Sequence, residues 1–420
     1  MSEWSRLSRI FADEMTELLA GDRDGVDDSG RVQSYEEVLE VVRQANEAGK
    51  PVDFERAPAP LVDDARANEQ QLRLGFLDDD RLVVWLADPV GGETAYVVND
   101  DGARRAPAGL IGVGYGKAAF LEDDGTILVR RDFEGEVLAR LAPPTGLEGV
   151  DEAFVDDVKN DLSSAHTCVH LAKADGCVVV ERADGVYRHV GEGWVRLLPE
   201  PHSMNKGFVW SWKEYGDEEE LRVRTEEPSV AVSPDGSWVA AVDLYSHLHV
   251  FDRTGAAVVT MHHNGDLPGA ACFSEDSKRV LLSARYLSGG EGYLLQTSEL
   301  PADVVREPWD DAHVVPVLEN EGVLAAAPLG GGVVAGTSRG VLVALDAEGE
   351  ERWLQYVGSS VTDVAVSPSG KKLATATWAA EVSIFDVDTG TQDPLVPGTS
   401  TNRELVRWLF WKTEKCPLRW

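Results

Sequence analysis

Three side chains of types that bind metal ions alternate along one short stretch of this chain. They are His166, Cys168 and His170, with Cys177 following. On a β-strand, residues two apart share one face of the sheet, and Cys177 would return to them on the partner strand of a hairpin. Four nitrogen and sulfur ligands suit zinc, which makes these residues the candidate metal site. The spacing is not a common zinc spacing, so buried polar side chains of an ordinary sheet are the alternative.

The elements that would position such residues are repeated strands. Residues 359–390 read as an apolar strand, an S-P-S-G turn, a second apolar strand, and a third strand ending in Phe-Asp before a Gly turn. Residues 229–255 repeat the pattern with S-P-D-G. One such antiparallel blade cannot bury both of its faces, so repetition predicts blades stacked in a ring.

A strand-like alternation of side chains, with a period of two residues, begins near residue 70, and turn residues recur along the rest of the chain. The spacing of the Ser turn anchors leaves room for seven blades, while six or eight also fit because the early blades are weak. The sequence therefore predicts an all-β fold, a seven-bladed β-propeller with a short N-terminal helical extension. Segments 151–164 and 203–227 fit no strand pattern and are expected to be insertions, which serve as binding loops or as solvated spacers.

Both ends of the chain show a helical period instead. Apolar residues at helical spacing in residues 4–19, and a capping-box spacing between Ser34 and Glu37, predict a helical hairpin over residues 1–60. The propeller is expected over 61–400 and an aromatic-rich tail over 401–420. In the tail, Thr401 and Glu404 again have capping-box spacing, which predicts a helix. Its tryptophans would pack on the propeller or offer an anchor to a partner.

Two other motifs are interpreted as structural. The segment Gly112–Lys117 is glycine-rich but lacks the spacing and the Ser/Thr of a phosphate-binding loop, so a blade connection is expected. The acidic segment Asp22–Asp28 lacks the Gly position and closing Glu of a calcium loop, and an acidic turn between helices is expected.

The seventh and fourth copies resemble the blades of WD-repeat propellers, and the resemblance covers residues 229–390. Phe-Asp stands where that family has Trp-Asp, and the upstream Gly-His pair is absent. The sixth copy, GGVVAGTSRGVLVALDAEGEERW, resembles the PQQ-type propeller repeat, whose Gly and Trp residues are structural. The resemblance implies blades and a rigid scaffold, and it implies no quinone.

Composition limits the class of partner. The formal net charge is −34 over 420 residues, which disfavours nucleic acid and anionic membranes and favours basic protein partners or simple solubility. A salt-adapted host is an alternative explanation of the charge. Four scattered cysteines, no secretory signal and no apolar run long enough to span a membrane predict a cytoplasmic protein.

The sequence contains no G-x-S-x-G and no H-E-x-x-H motif, so a non-catalytic scaffold for protein–protein interaction is expected, with no cofactor. Two alternatives stay open: a propeller enzyme, hydrolase or lyase, with a channel site and a metal, and a small-ligand sensor. The candidate partner-binding residues are aromatic. Tyr245 and Trp378 follow second strands, and Trp408 and Trp411 lie in the tail.

Overall fold

The structure is a computed structural model. It describes residues 3–50, 52, 56–58, 72–86, 94–149, 167–182, 185–198, 229–242, 247–261, 267–286, 289–300, 303–305 and 312–420. The expected insertions at 151–164 and 203–227 lie outside these residues. The chain divides into two compact units, residues 1–106 with 323–420, and residues 107–322.

The first unit contains two helices and three antiparallel sheets, which are the first, sixth and seventh sheets in chain order. The helices are α1 (Glu3–Ala20) and α2 (Ser29–Glu47). The first sheet comprises β1 (Leu72–Phe76), β2 (Leu82–Leu86), β3 (Thr94–Asn99) and β4 (Gly102–Arg105). The sixth comprises β22 (Val323–Leu329), β23 (Gly332–Thr337), β24 (Val341–Leu345) and β25 (Glu351–Tyr356). The seventh comprises β26 (Val361–Val366), β27 (Lys372–Thr377), β28 (Glu381–Asp386), β29 (Arg403–Leu409) and β30 (Leu418–Arg419).

The second unit contains the second to fifth sheets. The second comprises β5 (Leu110–Gly114), β6 (Lys117–Leu121), β7 (Ile127–Arg131) and β8 (Val137–Leu141). The third comprises β9 (Thr167–Leu171), β10 (Val178–Arg182), β11 (Gly185–Val190) and β12 (Gly193–Leu198). The fourth comprises β13 (Ser229–Val232), β14 (Val239–Val242), β15 (Leu248–Phe251), β16 (Ala257–Met261) and β20 (Asp303–Val305). The fifth comprises β17 (Leu267–Phe273), β18 (Arg279–Tyr286), β19 (Gly289–Gln296) and β21 (Val314–Val317).

The seven sheets confirm the predicted seven-bladed β-propeller with two N-terminal helices. Each sheet runs in chain order from its first strand outward, apart from β20, which pairs in parallel with β16 after leaving the fifth sheet. The first strands of successive sheets contact one another within each unit, as β22 contacts β26 and as β5 contacts β9. Neighbouring sheets therefore bury the faces that a single blade would expose.

The first and seventh sheets, which are far apart in sequence, pack face to face. Leu72 and Val84 share one apolar cluster with Ala376 and Val382. The backbone N–H of Leu74 donates to Asp363 Oδ2 at 2.6 Å. The beginning and the end of the repeat series thus stabilise each other, which explains how the terminal blades avoid open apolar faces.

The repeated Ser turn has a local structural cause. The Ser233 hydroxyl accepts from the Trp238 backbone N–H at 2.8 Å. The Ser367 hydroxyl accepts from the Lys372 N–H at 3.1 Å. The Gly that ends each motif has a positive φ, 70° at Gly236 and 73° at Gly370, a conformation that disfavours other residues. The motif therefore fixes the hairpin between the first and second strands of a blade.

Gly112 marks a close approach between two sheets. A Cβ at this position would lie 2.2 Å from the carbonyl oxygen of Val169 on β9. The segment Gly112–Lys117 is a hairpin inside the second sheet, with its turn at Tyr115 and Gly116. The expected connection between blades is thus wrong, and the glycine serves the packing of β5 against β9.

Replacing Gly112 by alanine is expected to lower the free energy of unfolding by about 1–3 kcal/mol, because the methyl group forces the two strands apart. Gly114 on the same strand is the control, since its Cβ would meet the nearest atom only at 3.7 Å. Urea denaturation of both variants measures the difference. Equal stability of the two variants would contradict this account of Gly112.

The helical hairpin packs on the seventh sheet. Trp4 of α1 and Tyr35 of α2 stack with ring centroids 5.8 Å apart, and both belong to the apolar cluster that contains Trp420. Helix α2 begins at Ser29 with Asp28 as its N-cap residue. The predicted start at Ser34 is therefore wrong: the Ser34 hydroxyl lies inside the helix and donates to the Arg31 carbonyl oxygen.

The tail differs from its predicted helix. Arg403–Leu409 is strand β29, which pairs with β28 and continues to β30. Most of its side chains are buried on both faces. A strand that is covered on both sides loses the alternation of apolar and polar residues that identifies strands in a sequence, and this explains the error.

Candidate functional sites

The structure brings two of the four predicted metal ligands together with a third residue. Cys168 and His170 lie on one face of β9, and Glu181 of β10 lies directly opposite Cys168 in the antiparallel register. One ligand atom from each of the three residues lies within 4.8 Å of the others. His170 Nε2 and Glu181 Oε2 are 2.9 Å apart. We call these three residues the Cys168 cluster.

The cluster faces the fourth sheet. Val179, which lies opposite His170 in the register, packs with Val230 and Val239 of that sheet. Val169, on the other face of β9, packs with the second sheet. Cys168 is 7% exposed, whereas the side chains of His170 and Glu181 are 25% and 13% exposed. Solvent therefore reaches the cluster from the side of the imidazole.

The electrostatic environment of the cluster favours positive charge. Burial lowers the pKa of His170, but the nearby Cys168 and Glu181 outweigh it and raise the pKa to about 10. A carboxylate and a sulfur atom around one imidazole form a site of negative potential. With this raised pKa, the imidazole of His170 is protonated near neutral pH.

Of the other two predicted ligands, Cys177 is not part of the cluster. Cys177 lies in the turn between β9 and β10, and a Cβ at Gly236 would lie 2.9 Å from its Cβ. Burial raises the pKa of its thiol. His166 lies outside the described residues. Glu181 was missed because the register of the β9–β10 hairpin, which brings it opposite Cys168, depends on a connecting loop whose length the sequence does not reveal.

A second candidate site is the hairpin that carries Trp378, between β27 and β28. Trp378 is 46% exposed. Its backbone N–H donates to the Ser360 carbonyl oxygen at 2.8 Å, and the Ser360 hydroxyl donates to the Ser338 carbonyl oxygen at 2.5 Å. Turns 337–340, 357–360 and 377–380 are thus joined, and we call them the Trp378 platform. It presents a large aromatic side chain on a hydrogen-bonded base.

The remaining predicted partner-binding residues have other surroundings. Trp408 and Trp411 are buried, at 2% and 6% exposure. Trp411 Nε1 donates to the Ala379 carbonyl oxygen at 2.9 Å, so this tryptophan supports the turn that bears Trp378. Tyr245 lies outside the described residues. For the two tail tryptophans, the structure agrees with the packing alternative.

The Lys of the glycine-rich segment has a structural role. Lys117 Nζ donates to the carbonyl oxygens of Ala172, Lys173 and Ala174 at 3.0–3.1 Å. It also pairs with Asp175 at 2.8 Å. Its ammonium group thus holds the turn between β9 and β10, which fixes the strands that carry the Cys168 cluster.

The comparisons with known proteins concern fold alone. No protein-family model matches the chain, and no curated protein sequence matches it. Hsv2p of Kluyveromyces lactis is similar at 12% identity over 79% of this chain and 96% of that chain, with a TM-score of 0.43. Sqt1 of Chaetomium thermophilum, bound to the N-terminus of ribosomal protein L10, is similar at 13% identity over 82% of this chain and 89% of that chain, with a TM-score of 0.46. A chain of a mitotic checkpoint complex is similar at 13% identity over 78% of this chain and 91% of that chain, with a TM-score of 0.46.

Among the described residues, neither helix is both long and apolar enough to cross a membrane. The fold expected from the repeat motifs is established by the sheets themselves, since seven successive sheets, each with four antiparallel strands, follow one another along the chain. The chain is a seven-bladed β-propeller in its fold.

Proposed function

We propose that this chain is a non-catalytic propeller that holds a protein partner at the Trp378 platform. The observation that carries the proposal is the 46% exposure of Trp378 on a hairpin whose backbone is fixed by neighbouring turns. Tryptophan is enriched among the residues that dominate binding energy at protein interfaces. A preorganised hairpin also loses little conformational entropy when a partner binds.

The expected partner is a protein segment with basic and apolar side chains. A net charge of −34 attracts basic partners and repels the phosphates of nucleic acids and anionic lipids. We place the protein in the cytoplasm, a proposal that the four free cysteines favour. Screening by salt should weaken association with a basic partner.

Replacing Trp378 by alanine is expected to reduce partner recovery by about tenfold or more, since interface hot spots typically contribute at least 2 kcal/mol. The purified chain is immobilised, exposed to an extract of the organism that encodes it, and the bound proteins are quantified by mass spectrometry. A partner should be recovered reproducibly by the unmodified chain.

The matched control is Val137→Ala. Val137 is 47% exposed on β8, in another sheet, and its replacement should leave recovery unchanged. Equal recovery of every protein by the unmodified chain and the Trp378 variant would refute the platform as the docking site.

The alternative functions, a channel enzyme or a ligand sensor, are favoured by one observation, the Cys168 cluster.

A further inference from the structure

We propose that Cys168, His170 and Glu181 bind one divalent transition-metal ion of the zinc type, with the thiolate, imidazole and carboxylate as its three protein ligands. This site is distinct from the Trp378 platform, and it does not depend on the proposed docking function. The argument starts from the geometry of the three side chains.

The distances in the cluster are close to those that a tetrahedral ion requires. Ligand atoms about 2.1 Å from an ion at tetrahedral angles lie about 3.4 Å from one another, and a sulfur ligand lies slightly farther away. The present separation of 2.9 Å between His170 Nε2 and Glu181 Oε2 needs to open by a few tenths of an ångström. No two of the three ligand atoms are more than 4.8 Å apart, so small side-chain rotations are enough to bring all three to an ion.

The backbone holds these side chains in place without strain. β9 and β10 pair through five consecutive residues with no bulge. On the other face, β9 packs closely on Gly112 of β5. The turn that joins β9 to β10 is held by Lys117. Ligands fixed on paired strands lose little freedom when an ion binds, which favours affinity.

The chemistry of the ligands selects the class of metal. A thiolate with an imidazole suits zinc and other late first-row ions, whereas magnesium and calcium prefer oxygen ligands alone. Three protein ligands leave one tetrahedral position open, which is the arrangement of zinc sites that bind water or a substrate. The partial exposure of His170 and Glu181 gives that position access to solvent.

The competing explanation is a hydrogen-bonded pair between His170 and Glu181 beside a cysteine that binds no ion. Both explanations use the same contacts, and they differ in one measurable property: only the metal site forms a bond between sulfur and the ion. Cobalt(II) reports this bond, because a thiolate bound to it produces a charge-transfer absorption and tetrahedral coordination intensifies its visible bands.

The test is a titration of the full chain with cobalt(II), after treatment with a chelator in reducing buffer, followed by displacement with zinc. We expect one cobalt per chain, a thiolate charge-transfer band, and loss of the band when zinc is added. Cys168→Ser should abolish the band. Glu181→Gln should retain the band but weaken cobalt affinity by about tenfold or more, because even the loss of an outer-shell partner of a ligand typically costs about 10–100-fold.

The control variant is Cys177→Ser combined with Cys416→Ser, which removes the partly buried and the exposed thiol and should leave the band and the affinity unchanged. Absence of a charge-transfer band in the unmodified chain would overturn the proposal. So would a band that persists in Cys168→Ser, or one that disappears in the control. If Cys168→Ser does not fold, an unchanged affinity in Glu181→Gln overturns the proposal.

Discussion

Replacing Arg407 by alanine is expected to lower the free energy of unfolding by about 3–5 kcal/mol, the usual cost of removing one partner of a buried ion pair. Arg407 and Glu404 lie on β29 and are 2% and 8% exposed. Two hydrogen bonds join them. Arg407 Nη2 donates to Glu404 Oε2 at 2.8 Å, and Arg407 Nε donates to Glu404 Oε1 at 2.9 Å. Without the guanidinium, the buried carboxylate of Glu404 would lose its bidentate cation and keep the weaker neutral donor, the Ser383 hydroxyl at 2.8 Å.

The pKa values support a charged Arg407. Burial alone would lower its pKa, but Glu404 and Glu381 outweigh burial and raise it. Burial also raises the pKa of Glu381, whose carboxylate accepts from the Tyr35 hydroxyl at 3.2 Å. The loss of Arg407 therefore affects the contact between the seventh sheet and helix α2 as well as the pair itself.

Arg403→Ala provides the control on the same strand. Arg403 pairs with Asp386 at 2.8 Å, but its side chain is 60% exposed, and an exposed pair contributes about 1 kcal/mol or less. Urea denaturation followed by tryptophan fluorescence should show a large loss for Arg407→Ala and a small one for Arg403→Ala. Similar losses in both would show that the burial of the first pair has no energetic consequence.

Much of the fold was predictable because its local signals are strong. The Ser233 and Ser367 motifs encode the same hairpin twice, with a hydroxyl that accepts a backbone hydrogen bond and a Gly at positive φ. These signals are contained within a few residues, so they are visible without tertiary information. The repeat then implies neighbouring sheets, and from them a propeller.

The parts that were missed depend on tertiary contacts. In β29, Glu404, Val406, Trp408 and Leu409 are all buried, since the strand lies between β28 and β30 and beneath the helices. Its spacing of apolar residues therefore imitates a helix. Ser34 likewise matched a capping pattern, although α2 begins one turn and a half earlier.

The candidate metal site was likewise predictable only in part. Cys168 and His170 could be placed on one face from their spacing alone, because alternation along a strand is a local property. Glu181 joins them through the pairing of β9 with β10. A pairing register depends on the loop between two strands, and Cys177, which the sequence placed on the partner strand, lies in that loop.

Replacing Trp420 by alanine is expected to lower the free energy of unfolding by about 3–5 kcal/mol, the usual cost of truncating a buried large aromatic side chain. Trp420 is 2% exposed. Its ring lies 6.0 Å from that of Trp4 and 6.3 Å from that of Tyr35. The Arg407 guanidinium lies over it at 5.3 Å. One side chain thus joins both helices to the seventh sheet.

The effect should be local as well as large. The amide of Asn46 on α2 also exchanges two hydrogen bonds of 2.8 Å with the backbone of Arg419, and the loss of the neighbouring ring should loosen this contact. Hydrogen exchange should therefore increase in α1 and α2 far more than in β17 and β18 of the other unit, because local opening exposes only the amides of the segment that opens.

Trp378→Ala is the matched control, since it removes the same side chain from a position that is 46% exposed. It should change stability by less than about 1 kcal/mol and leave exchange in the helices unaltered. Uniform acceleration of exchange in both units after Trp420→Ala would contradict a local role, because the helices would then open only with the whole chain. Faster exchange confined to the helices would show that the C-terminal tryptophan anchors the N-terminal hairpin.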